Sequence, residues 1–154
     1  TKLLSIIASE KNYTTGHRLR HNIIKKLKNN SIDFDVYGRG YNPIENKIDG
    51  LKDYKFSIII ENSKFDYYFT EKLIDCFRTG VVPIYWGCPS IGKFFDEFGI
   101  IQFNSEDELL EIIKNLSNDE YDKRIDHIIK NYKLSEDFLL IENWIYKNTK
   151  LFLI

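Results

Sequence analysis

The sequence predicts an α/β domain, a Rossmann-like parallel sheet with flanking helices, and three observations carry that reading. Short apolar runs alternate with stretches whose apolar residues recur at helical spacing, the pattern of a parallel sheet with helical crossovers. One run, Val81 to Trp86, is apolar almost throughout, as expected of a strand covered on both faces. The runs end where polar and glycine residues gather: Phe56–Ile60 at Glu61 and Asn62, and Val81–Trp86 at Gly87 and Pro89. In an open sheet of this kind that carboxyl edge is where ligands bind.

The elements follow in order. Leu3 to Ala8 is a short apolar strand, and Ser9 to Gly16 a polar loop. His17 to Asn29 reads as a helix, with Leu19, Ile23, Ile24 and Leu27 on one face. Asp33 to Tyr37 is a second strand, closed by Gly38, Arg39 and Gly40, and residues 41–50, with Pro43 and Gly50, form a linker. After the strand Phe56–Ile60, a helix runs from Glu71 to Thr79, capped by Thr70 and stopped by Gly80. The strand Val81–Trp86 is followed by a short helix around Ser90–Glu97 and a fifth strand, Ile100–Phe103. Ser105 and Glu108 make a capping-box signature ahead of a helix Leu109–Leu116. Two further helices are expected, Asp119–Asn131 and Ser135–Ile154, the last amphipathic, with Trp144, Phe152 and Leu153 in need of a surface.

Composition bounds the function. The chain has 154 residues, enough for one domain over 1–154 with a real core. A net charge of −1 argues against a nucleic-acid partner. Cys76 and Cys88 lack metal or redox spacing and read as fillers, which makes a reducing compartment the default. No apolar run reaches the ~20 residues of a membrane span and no signal peptide is recognisable, so a cytoplasmic or membrane-peripheral location is expected. The chain begins Thr1-Lys2 and contains no Met, which reads as an excised or processed piece that lacks part of an active site.

No GxGxxG follows the first strand and no GxxxxGK[ST] occurs, so a phosphate on this fold would need side-chain cations. Lys72 in the first turn of a helix opposes the dipole by about 0.3–1 kcal/mol, which an anion bound there would explain. Glu71 can accept from hydroxyls, and Asn62, just past a strand end, offers donor and acceptor. Arg18 and Arg20 start the first helix and face the same edge. Each residue also has a plain reading. Glu71 suits any helix start, Lys72 any solvated surface, and Asn62 an Asx turn; Glu61 could pair with any nearby cation, and the arginines with Glu10. His17 and His21 read as structural, and no His/Glu set has metal-ligand spacing. The coincidence of Glu61, Asn62, Glu71 and Lys72 on one loop between a buried strand and a helix favours a ligand site.

The run FSIIIENS, then DYYFTEKLIDCFRTGVVPIYWG, closely resembles the C-terminal signature of the α-1,3/4-fucosyltransferases, glycosyltransferase family 10. The likeness is strong over about Tyr54–Phe95, looser over Leu3–Gly40, and beyond Asn104 is one of helical character alone. It implies the donor-binding, C-terminal half of a GT-B glycosyltransferase, with the N-terminal acceptor domain absent. By resemblance GDP-fucose is the donor substrate, and no obligatory metal or cofactor is implied. Asn62 and Tyr68 would line the donor site, Glu71 would hold ribose or fucose hydroxyls, and Lys72 would contact the diphosphate. Arg20, seven positions before Leu27, fits the family's helix arginine, with Arg18 as substitute. Arg20 and Lys72 would then stabilise the leaving group of an inverting transfer to a glycan acceptor. The general base would be a glutamate of the missing domain. Another sugar nucleotide, or a non-catalytic sugar-nucleotide-binding module, remains the alternative.

Overall fold

The computed structural model describes residues 1–139. Five parallel strands lie in the order β2-β1-β3-β4-β5. They are β1 (Lys2–Ile7), β2 (Asp35–Tyr37), β3 (Tyr54–Ile60), β4 (Val82–Trp86) and β5 (Ile101–Gln102). The helices are α1 (Thr15–Asn29), α2 (Glu71–Arg78), α3 (Glu106–Lys114), α4 (Asn118–Asp122) and α5 (Ile125–Ser135). The chain steps one way from β1 to β2 and the other way from β3 to β4. Right-handed crossovers therefore set α1 and α2 on opposite faces and leave a crevice beyond the carboxyl ends of β1 and β3.

The core explains the register. β3 is the central strand and β4 lies beside it; Phe56, Ile58, Ile60, Val82, Ile84 and Tyr85 are all buried. Phe56 pairs with Val82 and Ile60 with Trp86, which brings the two strand ends level. Ser5 and Ser57, opposite each other in β1 and β3 and wholly buried, satisfy one another through a 3.1 Å hydrogen bond. Ile23, Ile24 and Leu27 seat α1, while Leu73, Ile74, Cys76 and Phe77 seat α2. Both cysteines are buried and free.

Several boundaries differ from expectation. The first helix starts at Thr15, not His17, because the Thr14 hydroxyl accepts from His17 N while His17 Nδ1 accepts from Thr14 N. The expected short helix over 90–97 is two 3-10 turns, Ile91–Lys93 and Glu97–Gly99. The helix expected over Asp119–Asn131 is two, α4 and α5, broken near Arg124 (φ −103°, ψ −5°). Tyr121 bonds Gly80 O and Arg124 bonds Phe98 O, so two tertiary contacts hold the break. Ser105 caps α3, but the Glu108 carboxylate accepts from Asn104 N, one residue outside the expected box. Of the expected last helix, Ser135 ends α5 and Glu136–Phe138 form a 3-10 turn. The rest, with Trp144, Phe152 and Leu153, lies outside the described residues.

Candidate donor site at the β1/β3 crevice

A cavity of about 400 Å³ opens at that crevice. Its wall takes in Ile7 and Ala8 from the end of β1, Ile58–Ile60 from β3, Arg20 from α1, Lys72 from α2, and parts of the segment 38–51. The two cations expected to meet on one ligand therefore share one cavity although they stand on different helices.

Arg20 arrives there through packing. It lies three, four and seven residues before Ile23, Ile24 and Leu27, so it belongs to the buried face of α1. Only 6% of it is exposed. Its Nε and Nη2 donate to Ile60 O (3.1 and 2.7 Å), and Nη2 also donates to Asn62 Oδ1 (2.8 Å). Nη1 makes no hydrogen bond to a described residue. Burial pushes the guanidinium pKa down, against the opposing charge of Glu61. Gly16 makes this approach possible: its N–H donates to Asn62 O (3.0 Å), and a Cβ there would lie 1.7 Å from Glu61 O.

Glu61 ties the second cation in. It is fully buried. One carboxylate oxygen accepts from Thr70 N (2.9 Å) and the other from Thr70 Oγ1 (2.7 Å). Lys72 Nζ donates to Thr70 Oγ1 (2.9 Å) and stands 3.5 Å from Glu61 Oε2. A buried carboxylate needs such partners. Sequence marks Glu61 as a possible cation partner and not as a site residue; its position at the end of a strand buried on both faces is the available signal. Gly87, at the end of β4, leaves room for it, since a Cβ there would lie 2.6 Å from Glu61 Cγ.

The remaining expected residues divide. Asn62 lines the cavity and orients Arg20. Glu71 is exposed, 3.0 Å from Lys47 Nζ and 3.6 Å from Lys72 Nζ. Burial works against its ionisation, but the two lysines outweigh burial and its pKa falls below the ordinary carboxylate value. Tyr68 is half-buried and stacks on Phe65, the ring centroids 4.5 Å apart. Burial, then the charges of Glu61 and Glu71, raise its pKa. Neither Glu71 nor Tyr68 is in the cavity wall. Arg18 does not join the group: it is exposed, and its Nη1 donates to Tyr13 O (3.4 Å). His17 caps α1 and lines the cavity; burial, then Arg20, lowers its pKa and favours the neutral ring. His21 is held by Tyr41 and Lys11 O. Among the described residues no three His, Cys, Asp or Glu side chains group to hold a metal, and no helix is long and apolar enough to cross a membrane.

A doubly wound parallel sheet with two cations at its switch crevice, and no glycine-rich loop, defines a ligand domain that can grip phosphate with side chains. Residues 1–136 match the C-terminal model of glycosyltransferase family 10 (fucosyltransferase), and the chain belongs to this family of glycosyltransferase enzymes. It is 40% identical over 80 residues to an alpha-(1,3)-fucosyltransferase of Helicobacter pylori, which is 50% of this chain and 16% of that protein. It is 36% identical over 72 residues to an alpha-(1,4)-fucosyltransferase of Arabidopsis thaliana (45% of this chain, 18% of that one). It is 36% identical over 87 residues to GDP-fucose protein O-fucosyltransferase 3 of Bos taurus (51% and 18%). A crystal structure of an alpha1,3-fucosyltransferase with GDP-fucose superposes with a TM-score of 0.66 at 25% identity, covering 98% of this chain and 49% of that one. The chain thus spans about half the length of that solved structure.

Proposed function

We propose that this chain is the donor-binding half of an inverting fucosyltransferase that takes GDP-fucose and delivers fucose to a glycan hydroxyl, as an α-1,3-fucosyltransferase does. The observation that carries the reading is the shared cavity of Arg20 and Lys72, anchored respectively on Ile60 O and on the Glu61–Thr70 pair. Two cations so placed suit a diphosphate. The curated relatives named above differ in the linkage or acceptor in their names while each matches about half of this chain, which supports a donor role for this part.

In the proposed reaction an acceptor oxygen attacks the anomeric carbon as the bond to the diphosphate breaks. Arg20 and Lys72 stabilise charge growing on the departing GDP. Glu71 and Asn62 hold hydroxyls, and Tyr68 closes the site beside them. A carboxylate outside this chain removes the acceptor proton. This reading assigns neutralisation of the diphosphate to side chains, with no metal required.

Calorimetric titration with GDP-fucose, GDP-mannose and UDP-sugars tests it. Preference for GDP-fucose is expected. Selective binding of a different sugar nucleotide would reassign the donor, and GDP-fucose binding without turnover in the whole gene product would make this a binding module.

A further inference from the structure

We propose that Asp75 is the residue that selects guanine, its two carboxylate oxygens accepting from N1–H and the 2-amino group of the base. The inference rests on the donor-site reading and adds to it the feature that separates one nucleotide from another.

Asp75 lies on α2 one turn beyond Lys72 and lines the same cavity. It is half-buried, and its carboxylate makes no hydrogen bond or ion pair with a described residue. Burial raises its pKa. An acceptor partly withdrawn from water and without a partner is costly, and a ligand donor would relieve that cost. The other carboxylates nearby are differently placed: Glu61 is spent on Thr70 and Lys72, Glu71 is tied to Lys47, and Glu45 is exposed.

The surroundings suit a base. Leu51 and Ile58 give the cavity an apolar wall able to take a flat ring, while Arg20 and Lys72 fix its phosphate end. Among the common bases guanine alone offers two adjacent N–H donors on one edge, matched to the two oxygens of a carboxylate. Adenine sets its amino group beside a ring acceptor, and uracil sets one N–H between two carbonyls. A carboxylate in this wall therefore admits guanine and repels the others.

The test is a titration of the parent chain and Asp75→Asn with GDP, IDP, 2′-deoxy-GDP, XDP and pyrophosphate. IDP lacks the 2-amino group, and XDP carries a carbonyl in its place. The parent is expected to bind GDP about tenfold or more tighter than IDP, the scale of one charge-assisted hydrogen bond. Asp75→Asn presents one acceptor and one donor, so it should lose GDP about tenfold and gain XDP, reversing their order. A gain for XDP cannot come from misfolding. The proposal is overturned if the variant lowers GDP, IDP and XDP alike, or if the GDP to 2′-deoxy-GDP ratio changes instead, which would place the carboxylate on ribose. A parent that binds pyrophosphate but does not favour GDP over IDP removes this inference and leaves the cation pair standing. A parent that binds neither GDP nor pyrophosphate removes both.

Discussion

Replacing Arg20 by Ala should have two separable effects, because its guanidinium does two jobs. Toward the protein it donates twice to Ile60 O and once to Asn62 Oδ1. Removing it leaves the carbonyl at the end of β3 without those donors. An unsatisfied buried acceptor costs about 1–3 kcal/mol. In a chain of 154 residues that is a fall in melting temperature of roughly 2–12 °C. Toward the proposed ligand, Nη1 is the atom that bonds no described residue. Its loss should weaken GDP binding by about 1.5–3 kcal/mol, roughly 10- to 150-fold. The assay is calorimetric titration with GDP, run well below the melting temperature of the variant, beside a thermal melt. Arg20→Lys refines it: the charge stays but the planar fork is lost, so affinity should fall less than in the Ala variant while the melt still drops. If Arg20→Ala melts lower yet binds GDP as the parent does, Arg20 is a structural arginine and the donor-site reading fails.

Other perturbations follow from the same geometry. Glu61→Gln keeps the volume but removes the charge facing Lys72, and should cost about 1–3 kcal/mol in urea unfolding; an unchanged midpoint would show that Lys72 does not depend on it. Gly16→Ala places a methyl 1.7 Å from Glu61 O, so α1 must move, and should destabilise the fold by about 3 kcal/mol; a melt within a degree of the parent would contradict the close approach. Asp96 has its pKa lowered to about 2, chiefly by a hydrogen bond from Lys130, opposed by burial and aided by His127. The folded value lies below the unfolded one, so this stabilisation is complete above about pH 5 and is lost as pH falls toward about 2 and below. Its side chain is 11% exposed, and allowing for solvent the contribution is on the order of 1–2 kcal/mol. Urea midpoints between pH 5 and 2 should fall less steeply in Asp96→Asn, and equal slopes would refute the assignment.

Much of this was legible in the sequence, for local reasons. The strands expected at Val81–Trp86 and Phe56–Ile60 are legible from their predominantly apolar runs, and the helix starts at Thr70 and Ser105 from their capping chemistry. The burial of Arg20, and not of Arg18, follows the spacing of Ile23, Ile24 and Leu27, although the preference for Arg20 as a site residue came from the family resemblance. What pattern could not supply was non-local. Strand order depends on crossovers, and the break at Arg124 depends on contacts with Gly80 and Phe98. Lys72 looked frustrated at a helix start because the partner that settles it, Glu61, is bound to it only through the folded loop. The part of the wall drawn from residues 38–51 carries no periodicity and could be placed only by folding.

Both cations are moored to the last residues of a single central strand: Arg20 to Ile60 and Asn62, Lys72 to Glu61. A displacement of that strand's tip would act on both side chains at once. On the proposed reading, the diphosphate grip would therefore answer as one unit to any change at that strand end.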